Sequence, residues 1–495
     1  MATLATARLR KEAAAQAAYD EKLIDYGRGG ESEPGQQQGR TLGILVLILL
    51  CDLIAFTCIL PLFPSLMEFY AARAHEGSLY ATVDARLRAF RVAIGVPDES
   101  RMNAVFFAGL LGSVFSFVQF LSSPAIGALS DVYGRRPLLT LVTVGSLFAN
   151  VLWLYACTFA RFCVFRVVAG FCKASVSVAV AIAADLFPAA QRGRGMALVG
   201  VCFSVGFLFG PLIGAHFSRA ARDAAAAAAN ASDVHSPNSA YYFATPALFA
   251  CCLSLAELLL IVFALPETLA RHKRKTKLSD ITEQVVHYVH PSHLFSYTAV
   301  KRSLSLTNLH AAQRYGQVYF LFLFLYSGLE FTLCFFTHAR FHYDSIQQGK
   351  MYFYAGIIMI IVQGGYVRRL GVERQLSAAL CGMACIVPAY ILIGFAHQPV
   401  VFYVGLTLYA FASACVVPCV TTLVANVAGD SDQGAVLGVL RSQGALARAL
   451  GPAAAAALYW CVGATVCYTL GGLLLIVPFA WLRQIERANC NAVGA

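Results

Sequence analysis

The chain has 495 residues, of which 59% are hydrophobic and only 13% are charged. A water-soluble domain carries roughly a quarter charged residues, so a soluble enzyme or a solvated binding module is excluded, and lipid is the solvent that suits this composition. The formal net charge of +11 does not imply nucleic acid, because the basic residues gather in loops between apolar runs, which is the signature of membrane topology.

Residues 1–40 lack the apolar core of a signal peptide and, with Glu12, Asp20, Glu21 and Asp25, are too acidic for a transit peptide. They are expected to form a disordered tail. A membrane-crossing helix needs about 20 predominantly apolar residues. Twelve stretches meet that need, near 41–63, 103–126, 137–158, 162–186, 195–218, 243–265, 315–337, 350–367, 376–395, 399–426, 434–459 and 462–482; they are spans 1 to 12 below. Most of the 37 Lys and Arg fall in segments that share one side if the N-terminus is cytoplasmic, which selects N-in and C-in. The one glycosylation sequon, Asn230-Ala231-Ser232, then falls outside. Residues 269–313, opening on the basic run Arg271–Lys277, form a cytoplasmic linker between an N-terminal bundle (41–268) and a C-terminal bundle (314–483), and 484–495 form a second cytoplasmic tail. The sixteen cysteines lie almost wholly inside apolar runs without C-x-x-C pairs, so they read as small buried hydrophobes, and neither a metal site nor a disulfide framework is expected.

Shifting the sequence by 241 residues lays Asp185 on Asn426, Gly193 on Gly434 and Gly210-Pro211 on Gly451-Pro452. Spans 4–5 thus match spans 10–11, as in transporters built from two parallel repeats around a midplane site. After span 2 comes Gly127-Ala-Leu-Ser-Asp131-Val-Tyr-Gly134-Arg135-Arg136-Pro137, a tight turn. In it Gly127 would permit close helix approach, Gly134 an unusual backbone angle, and Asp131 would accept from helix-terminal amides or pair with the arginines.

This turn resembles the loop motif of the major facilitator superfamily. Asp52 with Pro61 and Pro64 resembles the span 1 motif of its drug:proton antiporter branch, Arg166-x-x-x-Gly170 the span 4 motif, and Gly206-x-x-x-Gly210-Pro211-x-x-Gly214 the antiporter motif of span 5. Pro266-Glu267-Thr268 closes span 6 in the same manner. The stretches Asp52-Leu-Ile-Ala-Phe-Thr, Ser327-Gly-Leu-Glu330, Gln348-Gly-Lys350-Met and Arg441-Ser-Gln-Gly444-Ala-Leu-Ala-Arg448 are similar to eukaryotic tetracycline-transporter-like organic-anion carriers. The second copy of the loop motif, Gly364–Arg369, has no acidic residue, so a symmetrical gating role is not expected there. The resemblance implies an all-α membrane protein of twelve transmembrane helices in two six-helix bundles, working by alternating access.

An ionisable group within a span costs about 2.5 kcal/mol or more, so it should face a partner or a wet cavity. Asp52 lies near mid-depth as a coupling carboxylate or a structural partner of Arg166, and the two roles are compatible. Arg166 and Lys173 share one face of span 4, and Arg441 and Arg448 one face of span 11. Set against Asp52 and Glu330, these four basic residues leave a positive cavity, which attracts anions. Arg441 and Arg448 are candidate ligands of a substrate carboxylate, or structural partners of Glu330. Asp185 is expected to pair with Arg135 or Arg136 at a gate. Glu257 is assigned to packing or a lipid edge, Tyr326, Tyr354, Tyr409 and Gln363 mainly to packing, and His216 and His338 to the outer interface.

The expected function is secondary transport of a small organic anion, coupled to protons or exchanged for a counter-anion, by a monomer that needs no cofactor. The expected location is the plasma membrane or an internal membrane, the nuclear envelope included. Two rivals are efflux of amphipathic cationic or zwitterionic drugs and a transporter-like receptor or scaffold without flux. No nucleotide loop or nucleophile–base constellation suggests an enzyme.

Overall fold

The computed structural model describes residues 34–94, 100–186, 192–230, 243–269, 288–301 and 304–493. Among these, eleven helical runs are long and apolar enough to cross a membrane. The last, Val436–Ala488, has 53 residues. At 1.5 Å per residue it would reach roughly 80 Å if straight, far more than the hydrocarbon core of about 30 Å. It therefore holds two crossings, and the chain turns between them at Gly463, whose φ of +78° is open to glycine. Spans 11 and 12 are thus both present.

In chain order the helices are α1 (Pro34–Thr57), α2 (Phe63–Ala72), α3 (Leu79–Ile94), α4 (Ser100–Tyr133), α5 (Arg135–Leu154), α6 (Phe159–Cys172), α7 (Ser175–Leu186), α8 (Arg192–Asn230), α9 (Ala244–Phe263), α10 (Pro291–Phe295), α11 (Leu306–Phe341), α12 (Ser345–Ile361), α13 (Val372–Phe395), α14 (Pro399–Leu474) and α15 (Ile476–Val493). Span 1 is α1 and α2, joined by a short 3-10 turn at Leu60–Leu62 where Pro61 and Pro64 deny the regular helix its amides. Span 4 is not continuous: it breaks after Lys173 into α6 and α7. Span 5 runs on to Asn230, which ends α8. Ala231, Ser232 and the basic run Arg271–Lys277 lie outside the described residues. Within 269–313, α10 packs on span 11: Gln443 Nε2 donates to the Leu294 carbonyl at 3.3 Å and Tyr297 donates to Gln443 Oε1 at 3.3 Å.

The two bundles touch toward the end opposite the N-terminus. There Phe63 stands edge-on to Phe331 at 5.6 Å, Phe106 packs on Trp460 at 5.6 Å, and Ser113 Oγ accepts from the Ala453 amide at 2.8 Å. His338 Nε2 lies 2.8 Å from Glu68 Oε1 across the same seam. Gly349 brings α12 onto Pro211, Leu212 and Ala215 of α8, where any Cβ would press against backbone.

Candidate functional site

Asp52 sits on α1 where that helix faces the break in span 4. Its Oδ1 accepts from Lys173 Nζ at 2.8 Å and its Oδ2 from Ser175 Oγ at 3.2 Å; Lys173 also reaches the Asp52 carbonyl at 3.3 Å. Lys173 caps α6 and Ser175 opens α7, so the carboxylate holds both lips of the break. The expected partner, Arg166, is elsewhere. Its guanidinium lies over the rings of Phe115 at 4.2 Å and Phe63 at 5.2 Å, and its Nε has no hydrogen-bond acceptor. Spacing of seven residues put Arg166 and Lys173 on one face, but Lys173 is the residue level with Asp52. Arg166 is instead held by cation–π attraction one to two turns nearer the closed end.

Asp52, Arg166 and Lys173 line a cavity of about 40 Å³ with Asn150 and Ser254. At about 10–15 Å³ of probe-occupied volume per water, it has room for a few waters. It lies inside the N-terminal bundle, bounded by spans 1, 2, 3, 4 and 6, and not at the midplane between the two repeats where the sequence suggested a site. Lys173 is neutralised by Asp52 within it, so the count of four basic against two acidic residues does not describe one cavity. Of the two roles expected of Glu257, the lipid edge is ruled out, since it is 1% exposed; it is packed inside the bundle, where its Oε1 accepts from Thr143 Oγ1 at 3.1 Å.

In the C-terminal bundle Glu330 is held by tyrosines and not by arginine. Tyr409 donates to Glu330 Oε1 at 2.6 Å; the Tyr326 hydroxyl is 3.2 Å from the same oxygen, 2.7 Å from the Tyr409 hydroxyl and 2.8 Å from Ser413 Oγ. The two rings stack at 5.4 Å. Phenol donors satisfy a carboxylate without a counter-ion, which leaves the arginines of span 11 to other uses. Gly444 packs on Tyr319 and Leu323 of α11. Arg448 is exposed and makes no hydrogen bond or ion pair among the described residues, yet it interacts electrostatically with Glu330 and with Arg441. Tyr354 is partly exposed and bonds Thr407 at 2.8 Å; Gln363 Oε1 accepts from Ser204 of α8 at 2.7 Å, linking the bundles.

At the N-terminal end Arg135 is the hub. Its guanidinium meets Asp131 at 2.6 Å, Asp185 at 3.0 Å and Ser130 Oγ at 2.5 Å. These bonds tie α4, α5 and α7 together within one bundle. The helix-terminal amides fall to Glu267 rather than to Asp131: its two oxygens accept from Arg135 N at 3.0 Å and Arg136 N at 3.3 Å, an anion at the positive end of α5. Arg136 in turn donates to the carbonyls of Ile261 and Val262 at the end of α9. Gly134 has φ +105°, a conformation that favours glycine. Gly127 meets no close neighbour, so the helix contact expected of it is absent. Tyr288 of the linker reaches both bundles, with its hydroxyl beside Gly438 and within the field of the Asp131 carboxylate. Burial first and the Asp131 carboxylate second push the Tyr288 phenol up, so it remains a neutral donor.

Gly206, Gly210 and Gly214 bring α8 against span 1, at Leu53, Thr57 and Cys58. Thr57 Oγ1 bonds the Gly206 carbonyl at 2.8 Å. Pro211 lies within α8, where its carbonyl meets α12 at Gly349. Of these partnerships the sequence missed Ser175, Glu267 and the Glu68–His338 contact. Glu267 was signalled by its place in the Pro-Glu-Thr motif; the other two join segments that nothing in the sequence aligns.

Residues 45–452 match the Major Facilitator Superfamily. Major facilitator superfamily domain-containing protein 10 of Bos taurus is 40% identical over 470 residues, 93% of this chain and 97% of the relative. The crystal structure of the human organic anion transporter MFSD10 (TETRAN) aligns with a TM-score of 0.73 at 40% identity, covering 90% of this chain and 99% of that one. The class C tetracycline resistance protein of Escherichia coli is 26% identical over 391 residues, 76% of this chain and 86% of that protein. With two six-helix bundles, a motif-bearing turn held by Arg135 and a match spanning most of its length, the chain belongs to the major facilitator superfamily of secondary transporters.

Proposed function

We propose that this transporter moves small organic anions by alternating access between its two bundles, coupled to protons or to a counter-anion. Arg448 carries the reading. It is exposed, has no carboxylate within ion-pair distance among the described residues, and feels the like charge of Arg441. A guanidinium placed beside another is stabilised by an anion that both can bind, and its planar fork suits a carboxylate. The similarity to a structure described as an organic anion transporter supports the same sign. In this reading Asp131, Arg135, Arg136 and Asp185 hold a gate at the cytoplasmic end, Gly206, Gly210, Pro211 and Gly214 let span 5 slide tightly on span 1, and Asp52 responds to the coupling ion. N-in and C-in topology and a monomer complete it.

The similarity to a tetracycline resistance protein favours a second reading, efflux of amphipathic cations or zwitterions. Uptake into proteoliposomes with an imposed pH gradient, screened over anionic and cationic solutes, decides between them. Anion uptake that falls in Arg448→Ala is expected; transport confined to cations would replace the anion reading with efflux.

A further inference from the structure

Glu257 is the most deeply buried carboxylate of the N-terminal bundle, and the function proposed above makes no use of it. One oxygen accepts a single neutral hydroxyl, Thr143 Oγ1 at 3.1 Å, and the other has no partner at all. A buried charge is tolerated only when paired and fully hydrogen-bonded, and Glu257 is neither. Its near charges are Asp52 of α1 and Lys173 at the break of span 4, and these two already form a 2.8 Å pair. Thiols near it are Cys51 on α1, Cys251 and Cys252 on α9 itself, and Cys202 on α8; the charged groups of those elements, Arg40 near the start of α1 and the Arg219–Asp223 pair near the end of α8, stand several turns away along their helices. Span 5 adds His216 only toward its far end, and α5 carries Arg135 and Arg136 only at its start. No cation is reserved for Glu257.

One helical turn away on α9 is Ser254, which lines the water-sized cavity together with Asn150, Asp52 and Lys173. Asn150 Nδ2 donates to Ser254 Oγ at 2.8 Å, so the cavity wall one turn from Glu257 is polar. We infer that Glu257 is a proton-binding site that exchanges its proton with this cavity and competes with Asp52 for Lys173. With the proton on Glu257, Lys173 belongs to Asp52 and the two lips of the span 4 break are held together. When the proton leaves Oε2 for the cavity, the new carboxylate draws on Lys173 and the hold of Asp52 weakens. Span 4 carries Arg166 on one side of the break and Asp185, the partner of Arg135, on the other. The proton is therefore placed to alter the joint between the mid-membrane site and the cytoplasmic ion cluster. This deepens the coupling part of the proposed function and rests on it for its meaning, but its test needs no substrate.

Infrared difference spectra of the full-length protein in lipid, recorded on stepping the pH, read the carbonyl stretch of a protonated carboxylic acid directly. The wild type is expected to show a buried-acid band that weakens as the pH is raised. Glu257→Gln should abolish the band. Thr143→Val, which keeps the carboxyl and removes its only hydrogen bond, should move the band without deleting it, and it decides the assignment if Glu257→Gln does not fold. Absence of the band, its survival in Glu257→Gln, an unmoved band in Thr143→Val, or a band that does not respond to pH would each overturn the inference. In proteoliposomes, uptake of radiolabelled naphthalenedisulfonate, whose charge does not titrate, should lose its dependence on a pH gradient in Glu257→Gln. If the wild type does not transport this probe while the band behaves as stated, it is the anion reading that fails, and the proton site stands.

Discussion

Lys173→Met isolates the pairing at the span 4 break. Lys173 and Asp52 are 6% and 7% exposed, and their charges meet at 2.8 Å. Unit charges about 3 Å apart attract by roughly 5–6 kcal/mol at an effective dielectric of about 20, and desolvation of both offsets much of that. Removing only one partner leaves the other charge buried and unpaired, which costs about 3–5 kcal/mol. Lys173→Met and Asp52→Asn should therefore each lower thermal stability in detergent strongly, while the double variant should recover much of the loss. A cycle measured by fluorescence-detected unfolding is expected to give a coupling of about 2–3 kcal/mol, within the range for residues in direct contact. Arg166→Met paired with Asp52→Asn serves as the control. Arg166 is held by Phe115 and Phe63 and not by the carboxylate, so those two changes should add within about 0.5 kcal/mol. If Asp52 coupled to Arg166 and not to Lys173, the reasoning would be refuted.

At the N-terminal end, Arg135→Ala removes bonds to Asp131, Asp185 and Ser130 at once. Charge-assisted bonds of this kind are worth roughly 1.5–3 kcal/mol each before solvent screening, so turnover should fall about tenfold or more while ligand affinity changes little; normal turnover would remove the cluster from the mechanism. Gly214→Val places side-chain atoms against the Cys58 carbonyl, and folded yield in detergent should drop sharply, whereas Gly127→Ala, which meets nothing within 4 Å, should express as the wild type does. For topology, glycosidase should shift the mobility of the wild type and leave Asn230→Gln unchanged. A reporter placed in 269–313 that appears on the outer face would reverse the orientation.

The fold was legible because its signals are one-dimensional. Twenty apolar residues span a bilayer wherever their neighbours lie, and the motif turn carries its own backbone instruction in Gly134. The site was legible only as a set of residues, not as a set of pairs. Charge spacing along span 4 is helical arithmetic, and it assumes that the helix is unbroken. The helix is unbroken from Arg166 to Lys173 and both line one cavity, but the arithmetic does not say which of them is level with Asp52; the depth of span 1 brings Lys173 to the carboxylate and leaves Arg166 to aromatic rings. For Glu257 the sequence left packing and a lipid edge open, because span 6 lies at the rim of its bundle; one face of a rim helix still points inward, and Glu257 is on it. That face also carries Ser254, a polar neighbour one turn away.

The broken span 4 also explains how distant elements can act together. A continuous helix would transmit Asp185 and Arg166 as one rigid rod, so the Arg135 cluster and the mid-membrane charges could move only in step. Two shorter helices joined at a charged break have a joint whose stiffness depends on the Asp52–Lys173–Ser175 bonds. Those bonds are electrostatic, they sit beside a cavity large enough for water, and a third titratable group lies within reach. Packing alone would give a joint indifferent to ions. A carboxylate that spans the break gives one whose state follows local charge, which is the property that coupled transport requires.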